Sequence, residues 1–173
     1  MKLFTAIFSL TLCAILCGCK TYSVGSSLPE GQRDIFVNVS NLTTENALTA
    51  LVDGAICRRL EGVPGIDVVN SDENAGLNVN VKLEKLDQSR LASAKIRDSK
   101  DRDRDSDAYQ SVLFRQTLTA SWTAVAKDGA KRSGSVTATA DVPLMNNVEL
   151  SQANALKELA RDLAHKVSEA ILD

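Results

Sequence analysis

Two runs of period-two alternation, joined by one short turn, dominate the second half of the chain. Val112, Phe114, Leu118, Ala120, Trp122 and Ala124 hold even positions, while Ser111, Arg115, Thr117, Thr119, Ser121 and Thr123 hold odd ones. After Lys127-Asp128-Gly129-Ala130 the pattern resumes with Val136, Ala138, Ala140 and Val142 against Ser133, Ser135, Thr137, Thr139 and Asp141. Alternate residues of a strand point to opposite faces, so each run has one apolar and one polar face. Asp-Gly is the dipeptide favoured by primed two-residue turns, whose central positions both need positive φ. The segment therefore predicts a long antiparallel hairpin whose apolar face must be covered. Its Ser/Thr face has two readings: a solvated surface of good β-formers, or a polar surface that slides against another polar wall.

The rest of the chain supplies the cover. Leu77, Val79, Val81 and Leu83 alternate with Asn78, Asn80, Lys82 and Glu84, and Ile35, Val37 and Val39 with Phe36, Asn38 and Ser40, giving strands near 77–84 and 34–40. From Thr44, the spacing of Leu48, Leu51, Val52, Ala55, Ile56 and Leu60 draws one apolar stripe down a helix. Thr43 or Thr44 is placed to cap its start, Gly62 to take the left-handed position after its end, and Pro64 to prevent its resumption. Gly65 to Val69 is a short further strand. Leu156, Leu159, Ala160, Leu163, Ala164, Val167, Ala170 and Ile171 form a second helical stripe behind Ser151 as N-cap. Cys57 lies on the flank of the first stripe and reads as a packing residue. His165 lies opposite the second, beside Arg161 and Glu169, as a surface histidine. The fold class expected is α+β, with two helices packed on one face of a mostly antiparallel four- to five-stranded sheet.

Composition narrows the function. With 44% hydrophobic residues in 173 the chain can build one core, and 20 Lys+Arg against 22 Asp+Glu leave a formal charge of −2. No basic field gathers phosphate backbones, so nucleic acid is not an expected partner. One histidine is little material for a metal cage or a histidine-based triad. The expected domain contains no phosphate-cradling glycine loop, HExxH pair, nucleophile elbow or CxxC pair, and its carboxylate pairs sit inside charged runs where nothing apolar raises a pKa. The reading is of a protein that is not an enzyme and uses no cofactor or metal.

At the amino terminus Lys2 precedes the uncharged apolar segment Leu3 to Leu16, whose 14 residues fall short of the about 20 needed to cross a bilayer. It closes in Leu16-Cys17-Gly18-Cys19, which resembles a bacterial lipobox. The resemblance implies acylation of Cys19 and cleavage before it. One acyl chain holds only marginally, whereas a multiply acylated Cys19 is a durable anchor. Residues 1–18 are then a lipoprotein signal peptide, 19–33 a lipidated tether rich in Gly, Ser and Pro, and 34–173 a single α+β domain. Cys13 and Cys17 leave with the signal, so Cys57 is the remaining thiol and no intramolecular disulfide forms. Lys20, in place of aspartate, resembles the sorting signal for the outer membrane.

Lys95 to Asp107 holds five basic and five acidic side chains in 13 residues. Such a run is a solvated loop between strands, or a set of guanidinium and ammonium groups offered to a partner's phosphates or carboxylates.

The lipobox, Ser27-Leu28-Pro29-Glu30-Gly31, the strand Asp34 to Ser40 with its following helix, and Tyr109-Gln110 opening a long strand together resemble the LptE family of lipopolysaccharide-assembly lipoproteins. The resemblance implies a two-helix, four-stranded α+β fold and a non-enzymatic role. It also implies a lipid anchor in the outer membrane, with the domain on the periplasmic side or within a barrel lumen, and two partners: the β-barrel translocon LptD, which the family plugs, and lipopolysaccharide. Basic residues before the long strand are thought to engage the glycolipid in that family, and the positions matching here are Lys95, Arg97, Lys100, Arg102 and Arg104. A second basic segment before the last helix has no counterpart, since neither Lys nor Arg occurs between Arg132 and Lys157. Lys127, Lys131 and Arg132, around the Asp-Gly turn, are the next candidates. The alternative is a stand-alone structural or envelope-stress lipoprotein without a barrel partner.

Overall fold

The computed structural model describes residues 27–95, 109–143 and 148–173. Five strands form one sheet: β1 (Asp34–Asn41), β2 (Asp67–Val68), β3 (Leu77–Lys95), β4 (Tyr109–Ala126) and β5 (Lys131–Pro143), in the order β2-β1-β3-β4-β5. β1 runs parallel to both β2 and β3, while β3, β4 and β5 form an antiparallel meander whose ladders are the long ones. Two helices, α1 (Ala47–Glu61) and α2 (Val148–Leu172), cover one face, as the two apolar stripes require. α1 packs on β1 and against α2, and α2 packs on β5 and β4. Both helices start at the end of the sheet where β1 and β5 finish, so they run parallel to each other.

Leucines of α2 meet alanines of the sheet. Leu159, Leu163, Val167 and Ile171 are fully buried, and so are, or nearly so, Ala120, Ala124, Ala138 and Ala140 opposite them, whose small side chains let the helix come close. From the other side Leu48, Val52, Ile56 and Leu60 of α1 close over Ile35, Val37, Val79 and Val81. Trp122 is held flat across its cross-strand partner Gly134, where a Cβ would come within 2.9 Å of the indole Nε1.

Several local expectations are corrected. α1 starts at Ala47 with Asn46 at its cap position and no capping hydrogen bond. Thr43 instead accepts from the Glu45 N–H at 3.3 Å, and Asn41 both accepts from Thr43 N–H at 2.8 Å and donates to the Glu45 carbonyl at 2.9 Å. These side chains tie the turn ahead of the helix rather than the helix itself. Gly62 caps α1 with a right-handed φ of −75°. The left-handed glycine is Gly65, at φ 81°, third residue of a turn closed by Ile66 N–H donating to Val63 O at 3.2 Å. Pro64 then Gly65 at the two central positions is the arrangement a type II turn demands. The Asp-Gly hairpin is not a primed two-residue turn, because Gly129 alone carries positive φ, at 86°. Gly129 N–H donates to Ala126 O and Ala126 N–H to Ala130 O, so the loop has three residues and ends in a glycine bulge. α2 begins at Val148, which puts Ser151 inside its first turn. The short strand at Gly65 to Val69 contracts to Asp67–Val68.

The folded part also begins earlier than Asp34. Leu28 is buried in the core, Glu30–Gln32 form a single 3₁₀ turn, and Ser27 Oγ donates to the carbonyl of Leu172. Gly76 explains the docking: a Cβ there would lie 2.0 Å from the Gly31 carbonyl oxygen. Its N–H donates to Asp34 O at 2.8 Å and its carbonyl accepts from Lys127 N–H at 3.0 Å, joining the amino-terminal segment, β1 and the hairpin turn.

Candidate functional site

β1 stops at Asn41, beside Leu83, and β5 stops at Pro143, beside Leu113, but β3 and β4 run on together to the Lys95–Tyr109 pair. From Lys85 to Lys95 β3 continues about 33 Å past the end of β1 at roughly 3.3 Å per residue, with β5 still beside β4 as far as the Ala92–Leu113 level. A register shift between Leu83 and Lys85 marks where it leaves the body, with Glu84 as the extra residue. Beyond it, Lys85, Asp87, Gln88, Ser89, Arg90, Leu91, Ala92 and Ser93 are all exposed. This arm starts at the opposite end of the sheet from Ser27 and the Asp-Gly turn.

Of the basic residues expected to bind a glycolipid, Lys95 is the last residue of β3, while Arg97, Lys100, Arg102 and Arg104 lie outside the described residues, as does Cys19. The Asp-Gly tip places Lys127 and Lys131 in solvent, but Arg132 donates to the Ile171 carbonyl at 2.9 Å and fastens the end of α2. His165 stands on the surface 3.2 Å from Glu169. Cys57 is half-buried, and burial, helped by the charges of Asp53 and Glu61, pushes its thiol above the usual range. Among the described residues no group of three or more His, Cys, Asp or Glu could hold a metal ion, and no helix is long and apolar enough to cross a membrane.

The feature with the most regular chemistry is the sheet face away from the helices. Cross-strand pairing sets Thr123 beside Ser133, Ser121 beside Ser135, Thr119 beside Thr137, and Thr117 beside Thr139. The rows continue through β3 and β1 as Asn80 with Asn38 and Lys82 with Ser40, then through β3 alone as Lys85 and Asp87. The result is a grid of short hydroxyl and amide groups on strands about 4.8 Å apart. Its charges are largely paired at home. Arg115 holds Asp141 in a two-pronged bond of 2.8 and 3.0 Å, and Lys85 lies 2.9 Å from Asp87. Glu84 accepts from Ser121 at 2.7 Å, and Asn38 donates to Asn80 at 3.2 Å. The hydrogen bond from Arg115, with its charge, holds the Asp141 carboxyl below the usual carboxylate range.

No family model matches the chain, and no curated protein matches it. Solved structures do. A Caulobacter crescentus protein classed as a lipoprotein superposes with a TM-score of 0.53 at 14% identity, over 82% of this chain and 90% of its own. Uncharacterized lipoprotein B of Nitrosomonas europaea gives 0.53 at 12% identity, over 84% of each chain. A Xanthomonas campestris protein gives 0.50 at 12% identity, over 84% of this chain and 85% of its own. The likeness is one of fold. The sheet with two helices on one face is thus an architecture that two proteins described as lipoproteins also have.

The open grid was half visible in the sequence, where the odd positions of both runs are Ser and Thr. The arm was not. Glu84 breaks the alternation, and the phase slip hides that β3 continues well beyond it.

Proposed function

We propose that the chain is an outer-membrane lipoprotein, anchored through Cys19, that assists lipopolysaccharide transport and assembly as the plug or assembly partner of a β-barrel translocon of the LptD kind. The lipobox supports the anchor, and the lipoprotein neighbours of the fold agree with it. From Cys19 to Ser27 the chain reaches at most about 27 Å, which holds the domain close to the membrane.

The observation that carries the partner class is the open Ser/Thr/Asn grid. Burying hydroxyls against an apolar wall costs free energy, because their hydrogen bonds to water are lost without replacement. Against a polar wall they are exchanged, and short side chains give up little rotamer entropy in the process. The interior of an outer-membrane barrel is such a wall. The pairing of Arg115 with Asp141 and of Lys85 with Asp87 further reduces the charge that docking would strand. Lys95 ends β3, and Arg97, Lys100, Arg102 and Arg104 follow it in the sequence; in this reading their cations meet lipid phosphates.

Extraction in mild detergent followed by affinity purification tests the reading. A stoichiometric, heat-modifiable β-barrel protein should accompany the chain. Recovery of the chain without one would favour a stand-alone envelope lipoprotein. Fatty-acid labelling that survives Cys19→Ala would remove the anchor from the account.

A further inference from the structure

β3 has one edge that no described strand covers past Leu83. Leu42 N–H donates to Leu83 O at 2.9 Å, the last rung on the β1 side, and the chain then turns away toward α1. Glu84, the extra residue of the bulge, shifts the phase of the strand by one. Lys85, Asp87 and Ser89, opposite Thr119, Thr117 and Arg115, therefore use their N–H and C=O groups on β4, while Leu86, Gln88 and Arg90 turn theirs outward. Pairing from Lys85 to Arg90 is unbroken up to the register shift at Leu91, and β3 holds no proline. The outward groups of Leu86, Gln88 and Arg90 thus stand in one row, with about 6.6 Å between alternate residues.

Such a row is matched by one kind of partner, an extended polypeptide backbone. The far edge of the sheet is guarded, since α2 places Lys166 and Asp162 on the backbone of Thr137 and Thr139. A barrel wall cannot fill the β3 slot, because closure uses every strand edge. A second copy of the chain fits badly. Antiparallel pairing centred on Gln88 or Ser89 drives the copy's strand, which runs on to Lys95, into Asn41 beside Leu83; centring on Arg90 sets two guanidinium groups face to face. The occupant is a free segment of a different protein.

Side chains beside the slot define that segment. On the helix-covered side Leu86 is half-buried against the core and shares a recess with Leu156, which seats an aliphatic residue. Arg90, on the same side, makes no ion pair among the described residues, which suits a carboxylate. On the other side Lys85, Asp87 and Ser89 continue the grid, which suits hydroxyls. We propose that the β3 edge from Lys85 to Arg90 takes up an extended segment of another protein as a sixth strand, with hydroxyl residues on the grid side, an aliphatic residue beside Leu86 and an acidic residue beside Arg90. The added strand runs antiparallel to β3, the pairing that is more stable per residue. This site does not depend on a barrel partner.

The probe is the hexapeptide Glu-Thr-Val-Thr-Val-Thr, blocked at both ends, whose first residue falls beside Arg90 and whose last falls beside Lys85. Amide exchange is followed residue by residue by NMR on the full chain in detergent. In the free protein the amides of Asp87 and Ser89 should exchange slowly and those of Leu86, Gln88 and Arg90 quickly. Saturating peptide should slow the latter three by about tenfold or more. N-methylation of the two valines, whose N–H groups face β3, should abolish binding, whereas N-methylation of the first two threonines, whose N–H groups face away, should leave it. Gln88→Pro removes an outward N–H and no bond to β4, so the melt should hold while affinity falls by about tenfold or more. Arg90→Glu should lose this peptide and bind the version with Lys in place of Glu. No protection of Leu86, Gln88 and Arg90 at millimolar peptide overturns the proposal. So does loss of binding on methylating the threonines and not the valines, or protection that grows with chain concentration in the absence of peptide, which would make a second copy the occupant.

Discussion

β3 passes through two different environments. From Leu77 to Leu83 every inward residue is buried under the helices, and the strand is paired on both sides. From Lys85 onward the same strand is paired with β4 alone, and from there to Ser93 only Leu86 is better than exposed. The body is held by apolar burial at about 25 cal/mol per Å². Past Lys85 that source shrinks to Leu86, packed against the core beside Leu118, and the rest of the strand rests on its ladder hydrogen bonds. A segment that adds so little to stability is free to be shaped by what it touches outside the chain. The two outer edges differ in the same way. Along β5, Lys166 donates to Thr137 O at 2.8 Å and Asp162 accepts from Thr139 N–H at 3.3 Å, so α2 blocks further pairing there. No strand among the described residues lies against the outer edge of β3 past Leu83.

Substitutions can test that contrast. Leu163→Asp places an unpaired carboxylate at a fully buried position of α2 and should unfold the body, since the cost of several kcal/mol is comparable with the about 5–15 kcal/mol typical of a whole domain. A thermal melt that does not move would mean that α2 is not docked. Gly76→Ala forces a Cβ into the Gly31 carbonyl and should cost about 1–3 kcal/mol, the range for overpacking, by releasing the 27–32 segment. Faster proteolysis near Leu28 is the readout.

The charged run that follows β3 in the sequence should behave differently. Replacing Arg97, Arg102 and Arg104 together by Glu should leave the melt unchanged while outer-membrane permeability to large hydrophobic antibiotics rises; an intact barrier would exclude these arginines as contacts. The smallest effect is expected from Asp141→Asn. Because Asp141 titrates below the ordinary carboxylate range, whatever it contributes is complete above that range and lost only as pH falls through its lowered value. The Asn variant should therefore melt slightly below the parent at neutral pH, and the difference should close on the acid limb as the parent's Asp141 takes up its proton, as circular dichroism melts across pH would show.

The body was legible in the sequence because burial imposes a period, and the period survives in the residues. Leu77, Val79, Val81 and Leu83 announce a strand, and Leu159, Leu163, Val167 and Ile171 a helix, before any coordinates exist. The local devices were less legible. Gly62, Gly65 and Gly129 all sit near a reversal, but which of them takes positive φ depends on the hydrogen bonds that close each turn. Leu28 lies in a stretch of Gly, Ser and Pro whose composition suggests a free tether, but the stretch docks where Gly31 passes against Gly76, far along the chain. Gln116 interrupts the apolar positions of β4 between Phe114 and Leu118, yet it is buried, which residue type alone does not suggest.

The central claim is that the Ser/Thr/Asn face meets the polar wall of a barrel while the helix-covered side does not. Photo-crosslinking in living cells addresses it directly. An amber-encoded benzophenone at Thr119 or Thr137, two exposed or half-exposed partners on the grid, is compared with one at Lys157 or Arg161 on the outer side of α2. Crosslinks from the grid positions to a single outer-membrane β-barrel protein, absent or much weaker from α2, are the predicted result. No barrel adduct from the grid, or equal adducts from both sides, would contradict the account.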